Sequence, residues 1–186
     1  VSLGHTECTY EQAMEAFSCG ASHVTHMFNA MAGFHHRQPG LMAAAMDAGA
    51  SVELICDGLH VHPAAVRMAH RLYGERLDLI SDSMRCAGLS DGEYTLGGQA
   101  VTVRDGRACL SGTDTLAGSS ISLLDGVRNA VAFDIPLADA LYAASTAPAR
   151  AAGLDDVGEL RPGLRADVLV LDRDLALKTV FVDGVR

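Results

Sequence analysis

The stretch GHTECTYEQAMEAFSCGASHVTHMFNAM, which runs over residues 4–31, contains two short extended runs with a helix-like segment between them. One histidine, His5, ends a short extended run, and a second, His26, ends the next such run. Between them, Thr9 and Gln12 have the T-x-x-Q spacing of a capping box, which predicts the start of a helix. An extended run, a helix and a second extended run indicate a βαβ unit of a parallel sheet.

The same unit repeats along the next part of the chain. Two further extended runs are SVELIC and LDLIS, and the segments before them are PGLMAAAMDAG and HPAAVRMAHRLYG. Both segments have the composition of helices, with Pro near the start and Gly at the end. Four short apolar strands, each joined to the next by a helix, predict an α/β fold with a parallel sheet.

Polar residues follow each of the four predicted strands. They are His5, His26, Asp57 together with His60, and Asp82. Because the active sites of parallel α/β folds lie at the C-terminal ends of the strands, this placement predicts one shared site. The alternative interpretation is that these residues are surface or capping residues at the starts of loops.

The two strand-end histidines are candidate metal ligands. Neutral imidazole commonly binds zinc and similar divalent ions, and neighbouring strands would bring His5 and His26 to one point. A catalytic metal lowers the pKa of a bound water, whose proton Asp82 would take and later give to a leaving amine. This combination predicts a hydrolase. The alternatives are structural histidines and, for Asp82, a helix N-cap.

Other polar residues are candidates for contacts with a substrate. We interpret His60 as a substrate contact and His62 as a surface residue. The segment LAGSSIS, residues 116–122, offers backbone N–H groups ahead of a helix to polar ligand atoms. We expect no role for the other four histidines, which are His23, His35, His36 and His70. Of these, His35 and His36 lie beside Arg37 in a loop and could approach an anion.

The second part of the chain has a different pattern. GEYTLGGQAVTVRDGRACLSG alternates like a hairpin, with Asp105 and Gly106 as a tight-turn pair. GSSISLLDGVRNAVAF and PLADALYAASTAPARAAG are predicted to be helical. The tail GELRPGLRADVLVLDRDLALKTVFVDGVR has two or three strand-like runs, which predicts a small β-domain beside the α/β part.

Composition limits the class of protein. The 186 residues are 49% hydrophobic and carry a net charge of −9, which disfavours nucleic acid as the main partner. Five scattered cysteines without a CxxC pair favour a reduced, cytoplasmic protein, and no apolar run is long enough to span a bilayer. The chain begins on a strand-like run without an initiator Met, so we expect it to be part of a longer protein.

The motifs GHTECT, THMFNAM, RQPGL, DGLHV, SDSMRCAGLSDGEYTLGG and LAGSS resemble the N-acetylglucosamine-6-phosphate deacetylase family of the amidohydrolase superfamily. The resemblance covers nearly the whole chain in order, and THMFNAM followed by RQPGL is its most specific part. It implies metal-dependent removal of acetate from N-acetylglucosamine 6-phosphate, which leaves glucosamine 6-phosphate. The tail resembles the closing strands of the small β-sandwich common in that superfamily.

The resemblance also implies roles for individual residues. His5 and His26 would be metal ligands, and Asp82 would be the catalytic acid and base. Arg37 would reach the neighbouring subunit's site and bind the phosphate, for which a guanidinium is well suited. The other substrate-binding residues implied are Asn29, Ala30, His60, Leu116, Ala117 and Gly118.

The implied fold is the C-terminal half of a (β/α)8 TIM-type barrel, residues 1–152, with closing strands of a β-sandwich domain in residues 153–186. The resemblance implies a divalent metal, with zinc the first choice, and a cytoplasmic homodimer that contacts neither nucleic acid nor membrane. The early H-x-H strand and the metal-binding Glu of the family do not occur in this sequence.

Three alternatives stay open. The chain could belong to another amidohydrolase that acts on a different amide, or it could be a non-catalytic half-barrel fragment. A nucleotide-binding α/β protein is disfavoured, because no Gly-rich phosphate loop follows the first strand.

Overall fold

A four-stranded parallel sheet with helical connections forms the first part of the chain, and the computed structural model describes all of residues 1–186. The strands lie in the sequential order β1-β2-β3-β4. The elements are β1 (Ser2–Leu3), α1 (Tyr10–Ser18), β2 (His23–Val24), α2 (Gly40–Ala48), β3 (Ser51–Ile55), α3 (Pro63–Tyr73) and β4 (Leu77–Ile80). The predicted α/β class and the order of the elements are confirmed.

The apolar residues of the strands decide which face of the sheet the helices cover. Val52 and Leu54 alternate along β3 with Glu53, and Leu77 and Leu79 alternate along β4 with Asp78. The four apolar residues belong to the main core, together with Leu41 of α2 and Val66 of α3. Successive side chains of a strand point to opposite faces, so the polar residues lie on the face away from this core.

Helix α1 begins where the sequence predicts. The Gln12 N–H donates to Thr9 Oγ1 at 3.3 Å, and the Thr9 N–H donates to Gln12 Oε1 at 2.9 Å, which confirms the capping box. Helix α2 ends at Gly49, whose φ of 69° closes the helix in the left-handed conformation.

The segment predicted to be a hairpin forms three antiparallel strands. They are β5 (Gly92–Leu96), β6 (Gln99–Arg104) and β7 (Arg107–Leu110). Asp105 and Gly106 form the predicted turn between β6 and β7, both at positive φ (50° and 73°). Gly97 and Gly98, also at positive φ, make a second turn that the prediction did not include. A separate small core lies under this sheet and includes Val101, Val103, Ala108, Met84 and Cys86.

The rest of the chain is helical and then extended. Its elements are α4 (Leu123–Ala132), α5 (Leu137–Ala144), α6 (Thr146–Ala151), β8 (Val168–Leu171) and β9 (Leu177–Phe181). The prediction of one helical stretch for residues 136–153 is wrong in one respect, because the helix breaks at Ser145. Pro148, three residues later, has no N–H to continue the helix. No helix has the length and apolar character needed to cross a membrane.

Candidate active site

The predicted site residues occupy equivalent positions after the four parallel strands. Each stands two residues beyond the last residue of its strand: His5 after β1, His26 after β2, Asp57 after β3 and Asp82 after β4. Because the strands are parallel and in sequential order, all four lie at the same end of the sheet.

Three of these residues share an unusual backbone conformation. His5, His26 and Asp82 have φ values of 47°, 30° and 46°, in the left-handed region that non-glycine residues rarely adopt. Such strain costs about 1–3 kcal/mol at each residue and persists where the surrounding structure fixes it, most often at functional sites. Three of the nine non-glycine residues at positive φ are therefore predicted site residues at the strand ends.

The structure brings His5 and His26 together. Their Nε2 atoms are 2.9 Å apart, and the ring centroids are 4.7 Å apart in an edge-to-face arrangement. His26 is buried and His5 is exposed. Gly4 permits the approach, since a Cβ there would lie 3.0 Å from Cβ of Thr25.

The donor chemistry of this pair fits a divalent metal. Two neutral imidazoles that direct Nε2 lone pairs at each other need a proton or a cation between them. Nδ1 of His26 is buried without a hydrogen-bond partner, so this ring is held by packing and by the contact at Nε2. The chain contains no cluster of three or more side chains that could hold a metal ion, so His5 and His26 stand as a pair.

The turn after His26 presents one free backbone N–H group, that of Ala30. Positive φ recurs at His26, Phe28 and Ala30, with values of 30°, 78° and 51°. The side-chain Nδ2 of Asn29 donates to the carbonyl oxygens of His26 and Met27 at 3.2 Å, which braces the turn. The N–H of Ala30 makes no hydrogen bond within the chain. Alternating conformations of this kind form concave anion-binding turns.

His60 is oriented by Asp57. Nδ1 of His60 lies 2.6 Å from Asp57 Oδ2, while Oδ1 accepts from the backbone N–H groups of Leu59 and His60 at 2.8 Å. Burial raises the pKa of Asp57, but these hydrogen bonds outweigh it and hold the pKa below its ordinary value. With Nδ1 engaged, Nε2 is the ring nitrogen of His60 that is available to a ligand.

Asp82 lies against the predicted substrate-binding segment. Its carbonyl oxygen accepts from the Ser119 N–H at 3.0 Å, and the Met84 N–H donates to the Ser119 carbonyl at 2.8 Å. The backbone of Leu116–Gly118 is thereby carried to the end of β4. A Cβ on Gly118 would lie 2.9 Å from Cγ of Met84, so this close approach requires glycine.

Arg37 is not brought to the other site residues. It lies in an exposed loop, where Nη1 is 2.8 Å from Nε2 of His36 and the backbone N–H donates to Nδ1 of His35. No acidic side chain pairs with its guanidinium within this chain. Its role in binding phosphate stays a prediction.

The sequence interpretation missed a row of polar side chains across the sheet. His23 was expected to have no role, yet Nδ1 lies 2.9 Å from Ser2 Oγ and Nε2 lies 3.2 Å from Asp78 Oδ2. The hydrogen bond to Asp78 raises the pKa of His23, against the opposing effect of burial. Charged residues inside strands otherwise buried on both faces, Glu53 in SVELI and Asp78 in LDLI, were the available signal.

These features are those of an amidohydrolase, and the family model described as "Amidohydrolase family" matches residues 1–186. The chain belongs to this family.

Similar proteins have names that are more specific than that of the family. The N-acetylgalactosamine-6-phosphate deacetylase of Escherichia coli O157:H7 is 42% identical over 187 residues, which cover 99% of this chain and 49% of that protein. The N-acetylglucosamine-6-phosphate deacetylase of Vibrio furnissii is 39% identical, with 99% of this chain and 47% of that protein covered.

A solved structure with a related name is also similar to this chain. A mutant of the N-acetyl-D-glucosamine-6-phosphate deacetylase of Mycobacterium smegmatis, in complex with N-acetyl-D-glucosamine-6-phosphate, is 43% identical with a TM-score of 0.93. The match covers 99% of this chain and 50% of that one. The chain therefore spans about half the length of the relatives named here.

Proposed function

We propose that this chain forms the catalytic C-terminal half of an N-acetylglucosamine-6-phosphate deacetylase. The observation that carries the proposal is the convergence of His5 and His26 at the sheet end where Asp82 also stands. The names of the similar proteins support a phosphorylated N-acetyl amino sugar as the substrate. The reaction is hydrolysis of the acetamide, which releases acetate and leaves glucosamine 6-phosphate.

The proposed fold is half of a (β/α)8 barrel in residues 1–152, with sandwich strands in residues 153–186. Four parallel strands in sequential order, with the helical core on one face and polar side chains on the other, support it. The two-stranded sheet of β8 and β9 exposes the apolar residues Leu169, Leu177 and Val180 to solvent. This exposure supports the proposal that the sheet is part of a larger sandwich domain. Such a sheet needs further strands or packing for stability.

A divalent ion on His5 and His26 would supply Lewis-acid chemistry, polarising the amide carbonyl and acidifying water. Asp82 would take the proton of the attacking water and give a proton to the leaving amine nitrogen. Zinc is the first choice for imidazole ligands, although other divalent ions suit the same donors.

The other residues bind and orient the sugar phosphate. The free N–H of Ala30, in the turn braced by Asn29, is suited to a phosphate oxygen. Nε2 of His60 is available to a polar group of the sugar, because Asp57 holds the ring by Nδ1. The backbone of Leu116–Gly118, beside Asp82, would line the acetamide end.

Arg37 would act on the site of a second subunit, which makes a homodimer the proposed assembly. Its position in an exposed loop, without an acidic partner, supports such a role. The cytoplasm is the proposed location, supported by five cysteines that are all free.

A second candidate substrate is N-acetylgalactosamine 6-phosphate. The relative from Escherichia coli O157:H7, at 42% identity, carries that substrate in its name. The two sugars differ only in the configuration of one hydroxyl, so the same metal and Asp82 chemistry would serve both.

Acetate release tests the proposal. This chain is co-expressed with the half of the mycobacterial relative that it does not cover, and we call this pair the completed barrel. We expect acetate release from N-acetylglucosamine 6-phosphate that depends on added Zn²⁺ and disappears with a chelator. A folded, metal-bound pair that releases no acetate from either sugar would contradict the proposal, and faster release from the galacto sugar would favour the second candidate.

A further inference from the structure

Glu53, in the middle of β3, holds the turn that carries His26 at two successive backbone positions. Its carboxylate oxygen Oε2 accepts from the His26 N–H at 3.3 Å, and its carbonyl oxygen accepts from the Met27 N–H at 2.8 Å. One residue of the neighbouring strand therefore fixes both amides at the point where β2 turns away from the sheet.

This turn needs an external hold because its own conformation is unfavourable. His26 is at a φ of 30° and Phe28 at 78°, and each such residue costs about 1–3 kcal/mol unless its surroundings compensate. Nδ1 of His26 has no partner, so no hydrogen bond from that nitrogen fixes the ring. The direction of Nε2 thus depends on the backbone of the turn and on packing.

The Glu53 carboxylate is itself fixed by the row of polar side chains. Its second oxygen, Oε1, lies 3.8 Å from Nε2 of His23, which in turn lies 3.2 Å from Oδ2 of Asp78. On the other side of His23, Ser2 Oγ contacts Nδ1 and lies 2.6 Å from Thr25 Oγ1. The row crosses all four strands and includes the strands that precede both His5 and His26.

We propose that Glu53 is a positioning residue of the metal site: its carboxylate holds the His26 amide, and so the ring, in the orientation that meets His5. The inference rests on the proposed function, since it assigns a task to Glu53 within that site. Groups that orient metal ligands typically change metal affinity 10- to 100-fold when they are removed.

A purely structural role for Glu53 would lead to a different result. The partly buried carboxylate would then contribute to stability, and its removal would lower the free energy of unfolding without changing metal affinity. Metal affinity therefore separates the two roles, and exchange of the His26 amide reports whether its hydrogen bond is lost.

The test measures Co²⁺ binding to the completed barrel by visible absorption, together with hydrogen exchange of the His26 amide by NMR. In Glu53→Ala we expect about 10-fold weaker Co²⁺ binding and faster exchange of the His26 amide. Glu53→Gln keeps an acceptor oxygen and should recover most of the affinity. The control is Glu93→Ala, which removes a strand carboxylate that also accepts hydrogen bonds, from Thr102 and Ser111, in a different sheet.

Each other outcome overturns the inference. Equal Co²⁺ affinities of wild type and Glu53→Ala would mean that the metal site exists and that Glu53 does not position it. Equal losses in the Ala and Gln variants would exclude the hydrogen bond as the cause. A wild-type completed barrel that binds no Co²⁺ would overturn the metal site and this inference together. If Glu53→Ala does not fold, Glu53→Asp withdraws the carboxylate from the His26 amide with the charge kept, and should bind Co²⁺ more weakly than Gln.

Discussion

At the scale of single residues, the site has strained backbone conformations. It also has polar side-chain contacts that apolar packing alone would not require. His5, His26 and Asp82 share positive φ values at equivalent strand ends, and Asp57 orients His60 through a 2.6 Å contact. Aspartate tolerates the left-handed conformation better than histidine does, because its short polar side chain bonds locally. Two histidines in that conformation, with their Nε2 atoms in contact, therefore point to a ligand-binding role.

Replacement of the proposed acid and base should separate chemistry from metal binding. In the completed barrel, Asp82→Asn keeps the shape of the side chain and removes its ability to exchange a proton. We expect kcat to fall by about 100-fold or more while the metal content is unchanged. Steady-state acetate release and metal analysis of the same samples provide the measurement. Asp114→Asn, an exposed aspartate elsewhere, is the matched control, and near-normal turnover of Asp82→Asn would refute the role.

Asp57 should make the free energy of unfolding depend on pH in the acidic range. Its pKa in the folded chain lies below the ordinary value of 3.8, so folding favours the charged form. The stabilisation is present above the ordinary pKa, and it is lost as the pH falls through the lower pKa of the folded state. We expect Asp57→Asn to lower the free energy of unfolding by about 1 kcal/mol at pH 7 and by less below about pH 4.

Urea unfolding between pH 3 and 7, followed by circular dichroism, measures this effect. The difference in the free energy of unfolding between wild type and Asp57→Asn should begin to shrink as the pH falls to about 4. Asp155→Asn is the control, since Asp155 is exposed and makes no hydrogen bond through its side chain. If wild type and Asp57→Asn differed by the same amount at every pH, the Asp57 charge would have no part in the stability.

At the scale of elements, the site depends on how the segment after β7 is attached to the end of β4. Ser83 and Ser119 pair as an isolated parallel bridge, and the Ser119 hydroxyl donates to the Ser81 carbonyl. This contact brings residues far apart in sequence beside Asp82. Gly118 makes it possible, since its φ of 135° and its distance from Met84 both exclude a side chain.

A pair of glycine substitutions tests this attachment. Gly118→Ala places a Cβ 2.9 Å from Cγ of Met84, whereas Gly20→Ala, also at positive φ, meets nothing within 4 Å. We expect Gly118→Ala to lower the free energy of unfolding by about 1–3 kcal/mol, and Gly20→Ala to show only the smaller backbone cost. Urea unfolding of both variants gives the comparison, and equal losses would mean that the contact with Met84 is not tight.

At the scale of the whole molecule, the chain leaves surfaces that a barrel and a dimer would cover. The parallel sheet ends at β1 and β4, and the sheet of β8 and β9 exposes apolar side chains on both faces. Open strand edges and apolar faces favour pairing with further strands. Arg37 lies in an exposed loop and pairs with no acidic side chain of this chain, as its proposed role at another subunit's site requires.

Arg37→Ala in the completed barrel should weaken binding of the phosphorylated sugar. Loss of charge-assisted hydrogen bonds is expected to raise KM about 10- to 100-fold for N-acetylglucosamine 6-phosphate and much less for the unphosphorylated sugar. Steady-state kinetics with both substrates measure this difference, with Arg71→Ala on the exposed side of α3 as the control. An equal effect on both substrates would refute the contact with phosphate.

Subunit mixing then tests whether Arg37 acts on the partner's site. A dimer of one Arg37→Ala subunit and one Asp82→Asn subunit contains one site with both an intact Asp82 and an intact Arg37 from its neighbour. Mixing the two variants should restore acetate release. Failure of exchanged subunits to regain activity would place Arg37 in the site of its own subunit.

Features that depend on neighbours along the chain could be predicted from the amino-acid sequence. Apolar runs, the capping box at Thr9 and the glycine at position 49 predicted the α/β order, and the strand ends predicted His5, His26 and Asp82 as site residues. These signals are local, because caps, turns and strand periodicity act over a few residues.

Contacts between residues of different elements could not be predicted in this way and are seen only in the folded chain. The contact of His5 with His26, the hold of Glu53 on the His26 turn and the arrangement of Ser119 beside Asp82 depend on strand register. His23 gives no local sign of its partners, which stand on three other strands. The physical reason is that register and packing are set by the burial of the whole apolar face, so contacts across the sheet have no signature in any single segment.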